Sequence, residues 1–501
     1  MKILSPSLII IVILGYFSLL FVVSQITSKG ASNRTFFNAN KQSPWLLVAI
    51  GMIGATLSGA TFISIPGVVG KGGLNMNLSY MQVVLGYLLG YFVIAVVLMP
   101  LYYRLQLTTI YGYLYKRFGI VSYKTGAGYF LLSRVVGASL RLFLMAIILQ
   151  TFVMDAFNIS FGVTVAITII FIWIYTFRGG IKTIVWTDTI QTVCMLTALV
   201  VTIISISQSM DSNISELWND FKVAGYSKMF YFKGGWEDPN NFYKQFLSGA
   251  LIAIVMTGLD QDMMQKNLTC RSLKDAQKNI FTFSVILVFT KILFLVLGGL
   301  LYIYATKKGL EIPANSDLLF PEIVFNHLNS GVGLVFILGL VAAAYSSADS
   351  ALTSLTTTFC VDFLELESKK LNESKKIHTR LVVHICFSLI LFVVTMIFNA
   401  TNNDSIINSL FIFSGYTYGP ILGLFTFGII SNRKIRDKWS LLVCILAPII
   451  TFILDNNSEA WFDGFKFGFL IIAINGLLTF LGLFFISHKQ NSLRDNVILE
   501  V

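Results

Sequence analysis

An apolar segment near residue 345 carries side-chain oxygens of the kind that bind a small cation. Residues 342–350 place two adjacent hydroxyls, Ser346 and Ser347, and a carboxylate, Asp349, in a run that otherwise reads as an apolar helix. Hydroxyl oxygens are neutral, weak ligands of sodium. Two hydroxyls together with two or three backbone carbonyls can replace the hydration shell of Na⁺ without burying a full counter-charge. The segment therefore predicts a site for a sodium ion that binds and also leaves.

The carbonyls for such a site require a helix that is interrupted within the membrane. Residues 51–67 contain four glycines, a proline and four hydroxyl residues in seventeen positions. Non-helical backbone survives at membrane depth only where it lines a cavity or is sheltered by protein. An interruption here would free carbonyls for an ion. Small residues also allow close helix packing, and this second interpretation of the segment stays open.

Ionisable residues inside apolar segments predict function, because a lone charge there costs at least ~2.5 kcal/mol. Besides Asp349, they are Arg134, Arg141, Asp188 and Lys291. The two arginines are seven residues apart and share one face of a helix, which could hold a carboxylate. An ion pair of either arginine with Asp188 or Asp349 is an equal alternative. Lys291 has a functional role or, equally, is a structural partner.

Composition excludes a water-soluble fold. Hydrophobic residues make up 55% of the 501 positions and charged residues 12%, against roughly 25% in a soluble chain. The five cysteines imply no disulfide framework, and the four histidines have no metal-ligand spacing. Neither a glycine-rich phosphate loop nor a nucleophile elbow is present, so ATP-driven transport and hydrolysis lack their residues. We expect a protein that is not an enzyme.

The hydrophobic pattern predicts an all-α integral membrane protein of about thirteen transmembrane helices. The predicted spans lie near residues 5–24, 45–70, 79–103, 122–154, 160–177, 183–207, 244–265, 280–304, 330–360, 380–399, 405–430, 439–454 and 464–487. Most of the 36 Lys and Arg residues fall in the loops after odd-numbered spans, among them Lys266 after the seventh. This bias predicts an N-terminus outside and a C-terminus in the cytoplasm, and it explains the net charge of +11 without a nucleic-acid partner.

Taken together and in order, these segments resemble the sodium:solute symporter family, which includes sugar, proline, iodide and sialic acid symporters. The likeness covers nearly the whole chain from Trp45 onward. Beyond the two segments above, it rests on the residues at 103–104, 115–119, 179–188, 260–266 and 415–420.

The resemblance implies a LeuT-like core of two inverted five-helix repeats whose broken helices cross at mid-membrane. The core would span 45–430, with peripheral helices at 5–24 and 439–487, in one transmembrane domain over 1–501. It also implies a shared sodium site, formed by the carbonyls of Gly54, Leu57 and Ala343 and the hydroxyls of Ser346 and Ser347.

The sialic acid branch is the most similar in its site residues. Its second sodium site maps to Asp188, Ser346, Asp349 and Ser350, although that branch has a serine at the position of Asp349. Its substrate positions map to Thr56, Ser58, Thr61 and Gln82. Its carboxylate-binding arginine maps to Gly137, with Arg134 and Arg141 about one turn to either side. The sugar branch adds Asp260 and Gln261 as substrate contacts.

These observations lead us to expect a sodium-coupled symporter that imports a small polar organic solute by alternating access. Sialic acid or another sugar acid fits the mapped residues, and a neutral sugar, a monocarboxylate or an amino acid is an alternative. A membrane sensor that binds solute without moving it, and a sodium-permeable channel, are alternatives of other classes. We expect a monomer in the plasma (inner) membrane, in contact with Na⁺, solute and lipid.

Overall fold

Long apolar helices follow one another along the chain. The computed structural model describes residues 6–70, 75–235, 237–401 and 406–489. Within these residues, nine helices are long and apolar enough to cross a membrane, and two bent helix pairs raise the number of spans to as many as eleven. The predicted count of thirteen is therefore not confirmed. The sixteen-residue helix Phe161–Thr176, at the predicted fifth span, rises only about 24 Å, less than the ~30 Å hydrocarbon core.

The helices of the first half of the chain begin close to their predicted positions, with short additional helices in the loops. They are α1 Pro6–Thr27, α2 Asn33–Asn38, α3 Trp45–Thr56, α4 Gly59–Val68, α5 Tyr80–Val93, α6 Met99–Arg104, α7 Gly112–Arg117, α8 Ile120–Leu149, α9 Phe161–Thr176, α10 Ile181–Ser209 and α11 Ile214–Val223. The π-helical turns Ile94–Leu98 and Gln150–Met154 extend α5 and α8.

The second half continues the pattern and ends in a small strand pair. Its helices are α12 Phe242–Ala253, α13 Gln261–Asn267, α14 Leu273–Lys308, α15 Leu319–His327, α16 Ser330–Thr358, α17 Glu373–Thr401, α18 Ile406–Ile430, α19 Ser440–Asn456, α20 Ser458–Trp461 and α21 Ile471–Phe485. The π-helical turns Ile254–Gly258 and Phe359–Phe363 extend α12 and α16. Strand β1 Lys434–Ile435 pairs antiparallel with β2 Ser487–His488.

Two of the spans are broken. Helices α3 and α4 meet at an angle of 61°, and α12 with its π-helical turn meets α13 at 69°. The first break falls in the segment where the sequence predicts an interruption. The second occurs where Asp260 caps α13, accepting hydrogen bonds from the amides of Asp262 and Met263. The two breaks fall in the second and seventh predicted spans. The LeuT-like architecture with broken helices is confirmed.

The second break corrects the placement of Lys266. The sequence pattern assigns this lysine to the loop after the seventh span, among the orientation charges. Because the chain resumes a helix after Asp260, Lys266 lies in α13 and is only 1% exposed.

Glycines bring α5 and α12 into backbone contact. A Cβ atom added at Gly86 would lie 2.1 Å from the carbonyl oxygen of Phe246, and one added at Gly249 would lie 2.1 Å from that of Val83. A Cβ at Gly90 would lie 2.5 Å from a backbone oxygen of α12. Since no other residue fits at these distances, the sequence joins the two helices along a glycine seam, defined by Gly86, Gly90 and Gly249.

Helix α16 occupies the centre of the molecule. Every residue from 339 to 358 is buried. The helix packs against α10 on one side, against α3 and α4 at their break, and against α8. This position brings the hydroxyl and carboxylate groups of α16 together with polar groups from the other inner helices.

Candidate functional site

The break between α3 and α4 lies against the paired serines of α16. A Cβ atom added at Gly54 would lie 3.2 Å from Oγ of Ser346, and one added at Gly59 would lie 3.2 Å from Cβ of Ala344. The last carbonyls of an α-helix have no helical partner, so the end of α3 at Thr56 frees oxygens that include that of Gly54. The end of α3, with its freed carbonyls, therefore lies beside the hydroxyl of Ser346.

Ser347, the next residue of α16, carries an unsatisfied hydroxyl oxygen. Its Oγ is buried and has no hydrogen-bond partner in the described part of the chain, whereas buried polar atoms nearly always have one. The neighbouring Ser346 donates its hydroxyl hydrogen to Oδ1 of Asp188 at 2.5 Å, which leaves oxygen lone pairs for a ligand. An electron-donating oxygen held without a partner suits a cation, so the residues present fit Na⁺.

The carboxylate of Asp188 already has a cation beside it. Nζ of Lys266 donates to Oδ2 of Asp188 at 2.6 Å, and both side chains are buried. On α16, the Asp349 carboxylate accepts hydrogen bonds from the hydroxyl of Tyr175 at 2.7 Å and from the amide of Ser350. Ser350 keeps a buried Oγ without a partner. The residues mapped to a second sodium site are thus close together, with an ammonium group among them.

Arg134 lies in an internal ion-pair network. Its Nη2 atom pairs with Asp260 at 3.2 Å and with Asp262, and the hydroxyl of Tyr418 donates to Asp260. The sequence offered Asp188 and Asp349 as possible ion-pair partners of Arg134, and the structure shows two other carboxylates in that role. The reason is the break at Asp260, which turns α13 toward α8. The network joins α8, α13 and α18, and it neutralises Arg134.

Arg141, by contrast, faces a cavity at the α3–α4 break. Its Nε atom is buried and finds no hydrogen-bond partner among the residues that the structure describes. Thr56, Ser58, Thr61 and Arg134 also line this cavity, and Thr56 has an unpartnered Oγ1. The remaining wall includes Tyr80, Tyr87, Tyr91 and Lys291.

Lys291 adds a second cationic group to the cavity. It is buried, its ammonium group lies 5.6 Å from the centre of the Tyr80 ring, and no carboxylate pairs with it among the described residues. The hydroxyls of Tyr80 and Tyr87 hydrogen-bond to each other at 3.0 Å. The cavity therefore combines two positive groups, hydroxyls and aromatic faces, which is a suitable lining for an anionic polyol.

Three of the predicted substrate contacts lie elsewhere. Gln82 is engaged by the segment before α12, donating to the carbonyl of Asn240 and accepting from the amide of Tyr231. Gln261 holds the loop between α6 and α7 through the carbonyl of Thr108 and the amide of residue 110. Asp260 belongs to the Arg134 network, and these three side chains do not line the cavity.

Sequence reasoning missed three side chains of this region. Lys266 had a signal, because it follows Asp262 by four residues and a capped helix start predicts continued helix. Tyr418 stands in the segment 415–420 used for the family resemblance, without a role assigned to it. Tyr175, in α9, had no local signal, since its partner Asp349 is 174 residues away.

Comparisons with known proteins agree with this architecture. The family model described as "Sodium:solute symporter family" matches residues 36–437. The sodium/sialic acid symporter NanT of Aliivibrio fischeri is 25% identical over 89% of this chain and 87% of its own length. The sodium/sialic acid symporter SiaT of Proteus mirabilis is 25% identical over 97% of both chains.

Solved structures share the fold. A substrate-bound, outward-open Na⁺-coupled sialic acid symporter superimposes with a TM-score of 0.81 at 21% identity, covering 96% of this chain and 99% of that one. Mhp1, a nucleobase-cation-symport-1 family transporter, gives 0.54 at 13% identity, covering 89% and 93%. With its multiple spans, its broken helices and a family match over most of its length, this chain belongs to the sodium:solute symporter family.

Proposed function

We propose that this symporter imports sialic acid or a closely related sugar acid together with sodium. The observation that carries the proposal is the pair of cationic side chains, Arg141 and Lys291, that face the cavity and form no ion pair with a carboxylate among the described residues. A buried charge without a counter-charge is costly, and a carboxylate on the solute would offset that cost. The relatives that transport sialic acid support the same class of solute.

The other groups of the cavity suit the rest of such a molecule. Thr56, Ser58 and Thr61 offer hydroxyls to the polyol, and Tyr80 and Tyr91 offer aromatic faces to a sugar ring. A neutral sugar or an amino acid would leave the two positive charges less well compensated. A simple monocarboxylate would compensate the positive charges but would leave the cavity hydroxyls without hydrogen-bond partners, so it is the second candidate.

Coupling follows from the position of the α3–α4 break. Gly54 and Leu57, which offer carbonyls to sodium, alternate along the chain with Thr56 and Ser58, which line the solute cavity. An ion bound between these carbonyls and Ser346 and Ser347 fixes the break in one conformation. It thereby also fixes the groups that bind solute, so bound sodium raises the affinity for solute. Because the coupling free energy is reciprocal, bound solute raises the affinity for sodium by the same factor.

One sodium ion accompanies each solute molecule in this proposal. At the second set of ligands, around Asp188 and Asp349, the ammonium group of Lys266 neutralises the carboxylate of Asp188. Two cations within hydrogen-bonding distance of one carboxylate would repel each other in a medium of low dielectric constant. Lys266 thus takes the place of a second ion.

The protein acts as a monomeric carrier within one transmembrane domain of the plasma membrane, with its N-terminus outside and its C-terminus in the cytoplasm. The excess of Lys and Arg in the loops after odd-numbered spans supports this orientation. Transport, without catalysis, is the activity, and no nucleic acid takes part.

Uptake into proteoliposomes tests the function. An inward sodium gradient is expected to drive accumulation of labelled sialic acid above its external concentration, and an equal potassium gradient is not. Sodium-dependent stabilisation by solute without accumulation would identify a sensor instead. Sodium entry in the absence of solute would identify a channel, and accumulation of lactate but not of sugar acids would favour the second candidate.

A further inference from the structure

A groove at the base of α5 and α6 combines apolar and positively charged walls. It has a volume of about 440 Å³ and lies between the end of α5, helix α6, helix α7 and the C-terminal end of α18. None of the functional groups described above contributes to it. Since the loops at this end of the helices carry most of the positive charges, the groove opens where the membrane meets the basic face of the protein.

The apolar wall faces outward. Val96 is 49% exposed, Val97 40% and Ile429 38%, and all three line the groove. Side chains of this kind on a membrane-spanning helix contact lipid chains, which are equally apolar. The wall extends from the hydrocarbon region toward the charged end of the groove, so it provides a track for an acyl chain.

The charged wall consists of Arg104, Lys116 and Arg117, and no Asp or Glu is among the described residues that line the groove. Arg117 is held in place, because Nε donates to the carbonyl of Gly428 at 3.1 Å and Nη2 donates to those of Ser431 and Arg433. These bonds leave its Nη1 for another acceptor. Lys116 has one carbonyl contact, at 3.2 Å to Leu105, and two more donor hydrogens.

We propose that this groove binds an anionic glycerophospholipid, with its phosphate between Arg104, Lys116 and Arg117 and an acyl chain along Val96, Val97 and Ile429. Basic pockets between transmembrane helices are known to suit anionic headgroups. Charge complementarity selects an anionic over a zwitterionic headgroup, and the apolar track selects a lipid over a free phosphate. The bound lipid joins the α6–α7 segment to the end of α18, so it stabilises the fold at this face.

Thermal unfolding of the full-length protein in detergent tests the site. Phosphatidylglycerol is expected to raise the Tm of the wild type by several degrees, and phosphatidylcholine with the same acyl chains much less. The double variant Arg104→Gln with Lys116→Gln is expected to lose most of the phosphatidylglycerol effect; both side chains are exposed, so folding is preserved. The matched control is Lys222→Gln with Lys308→Gln, which removes two positive charges elsewhere and is expected to keep the full effect.

Three results would overturn the proposal. They are equal stabilisation by phosphatidylcholine, an undiminished phosphatidylglycerol effect in the double variant, and the same shift from inorganic phosphate or glycerol phosphate, which would identify a site for a free anion. The single variant Lys116→Gln provides a second measurement, because it leaves Arg104 in place and is expected to lose part of the shift. Native mass spectrometry of the wild type and the double variant is expected to detect retained anionic lipid only in the former.

Discussion

The ammonium group of Lys266 lies 2.6 Å from the carboxylate of Asp188, and Ser346 donates to the other oxygen of the same carboxylate. The ion pair thus contacts a predicted sodium ligand directly. Its positive charge is fixed to the protein and does not cross the membrane. In the proposed mechanism this ammonium group takes the place of a second sodium ion, so it would set the charge moved in each cycle.

Transport by the wild type is expected to be insensitive to voltage. One Na⁺ with one monoanionic solute carries no net charge, so a membrane potential supplies no driving force. Replacing Lys266 by Gln opens the Asp188 site to a second ion, and each cycle then gains about 2.3 kcal/mol per 100 mV. Uptake into proteoliposomes at potentials set with potassium and valinomycin measures the difference.

The exposed Lys278 provides the control, as Lys278→Gln is expected to behave like the wild type. The double variant Lys266→Gln with Asp188→Asn removes both charges of the pair, so it leaves no carboxylate for a second sodium ion. Uptake that stays insensitive to voltage in this variant would show that the effect of Lys266→Gln comes from a change in ion number and not from loss of folding. Voltage-driven uptake by the wild type would refute the one-ion stoichiometry.

Removing the unsatisfied hydroxyl of Ser347 is expected to weaken sodium binding. A hydrogen bond or comparable contact to a charged group contributes about 1.5–3 kcal/mol, so Ser347→Ala should raise the sodium concentration for half-maximal uptake roughly tenfold or more. The double variant with Ser346→Ala should raise it further. Ser354→Ala is the matched control, because Ser354 donates back to its own helix at Ala351. Unchanged sodium dependence in the double variant would remove these hydroxyls from the ion site.

The two arginines of α8 are expected to respond differently to the same substitution. Arg134→Gln leaves Asp260 and Asp262 buried without their cation, and breaking such a pair costs about 3–5 kcal/mol. A lower Tm is the expected result. Arg141→Gln removes a guanidinium group whose Nε has no hydrogen-bond partner within the described ranges, so the Tm should change little while the KM for a sugar acid rises about tenfold or more.

Thermal unfolding and initial rates of uptake, measured on both variants, separate these effects. Arg141→Lys restores the charge without the guanidinium and should recover part of the affinity. An unchanged KM in Arg141→Gln would exclude this arginine from the solute site.

Close packing along the glycine seam predicts a cost for any added side chain. Gly86→Ala would place a methyl group 2.1 Å from a backbone oxygen of α12, and α5 and α12 would have to separate. Overpacking of this kind costs about 1–3 kcal/mol, so a lower Tm is expected. Gly15→Ala in α1 is the control, because nothing lies within 4 Å of the added atom. A Tm equal to that of the wild type would mean that the seam opens freely.

The sequence predicted most of the membrane-spanning helices and the first break, because both are local, although the count of thirteen spans is not confirmed. Hydrophobic length identifies a span, and the cluster of glycines, hydroxyls and Pro66 identifies a segment that is easily interrupted. The contact between that break and Ser346 joins two segments that are far apart in the sequence. Only the family resemblance predicted that these two segments lie together.

Pairing between distant residues could not be predicted. Arg134 is 126 residues from Asp260, and Lys266 is 78 residues from Asp188. Both pairs depend on the turn of the chain at the second break, which a pattern of hydrophobic residues does not reveal. The same turn explains why Gln261 contacts a loop instead of the cavity. The substrate positions carried over by resemblance therefore separate into residues that line the cavity and residues that support it.

The backbone contact between α5 and α12 also limits how the carrier can move. A helix that slid by one residue would bring a side chain against a carbonyl where only hydrogen fits. The two helices must therefore move together as one rigid unit. The solute pathway must open and close at other interfaces, where side chains and not backbones are in contact.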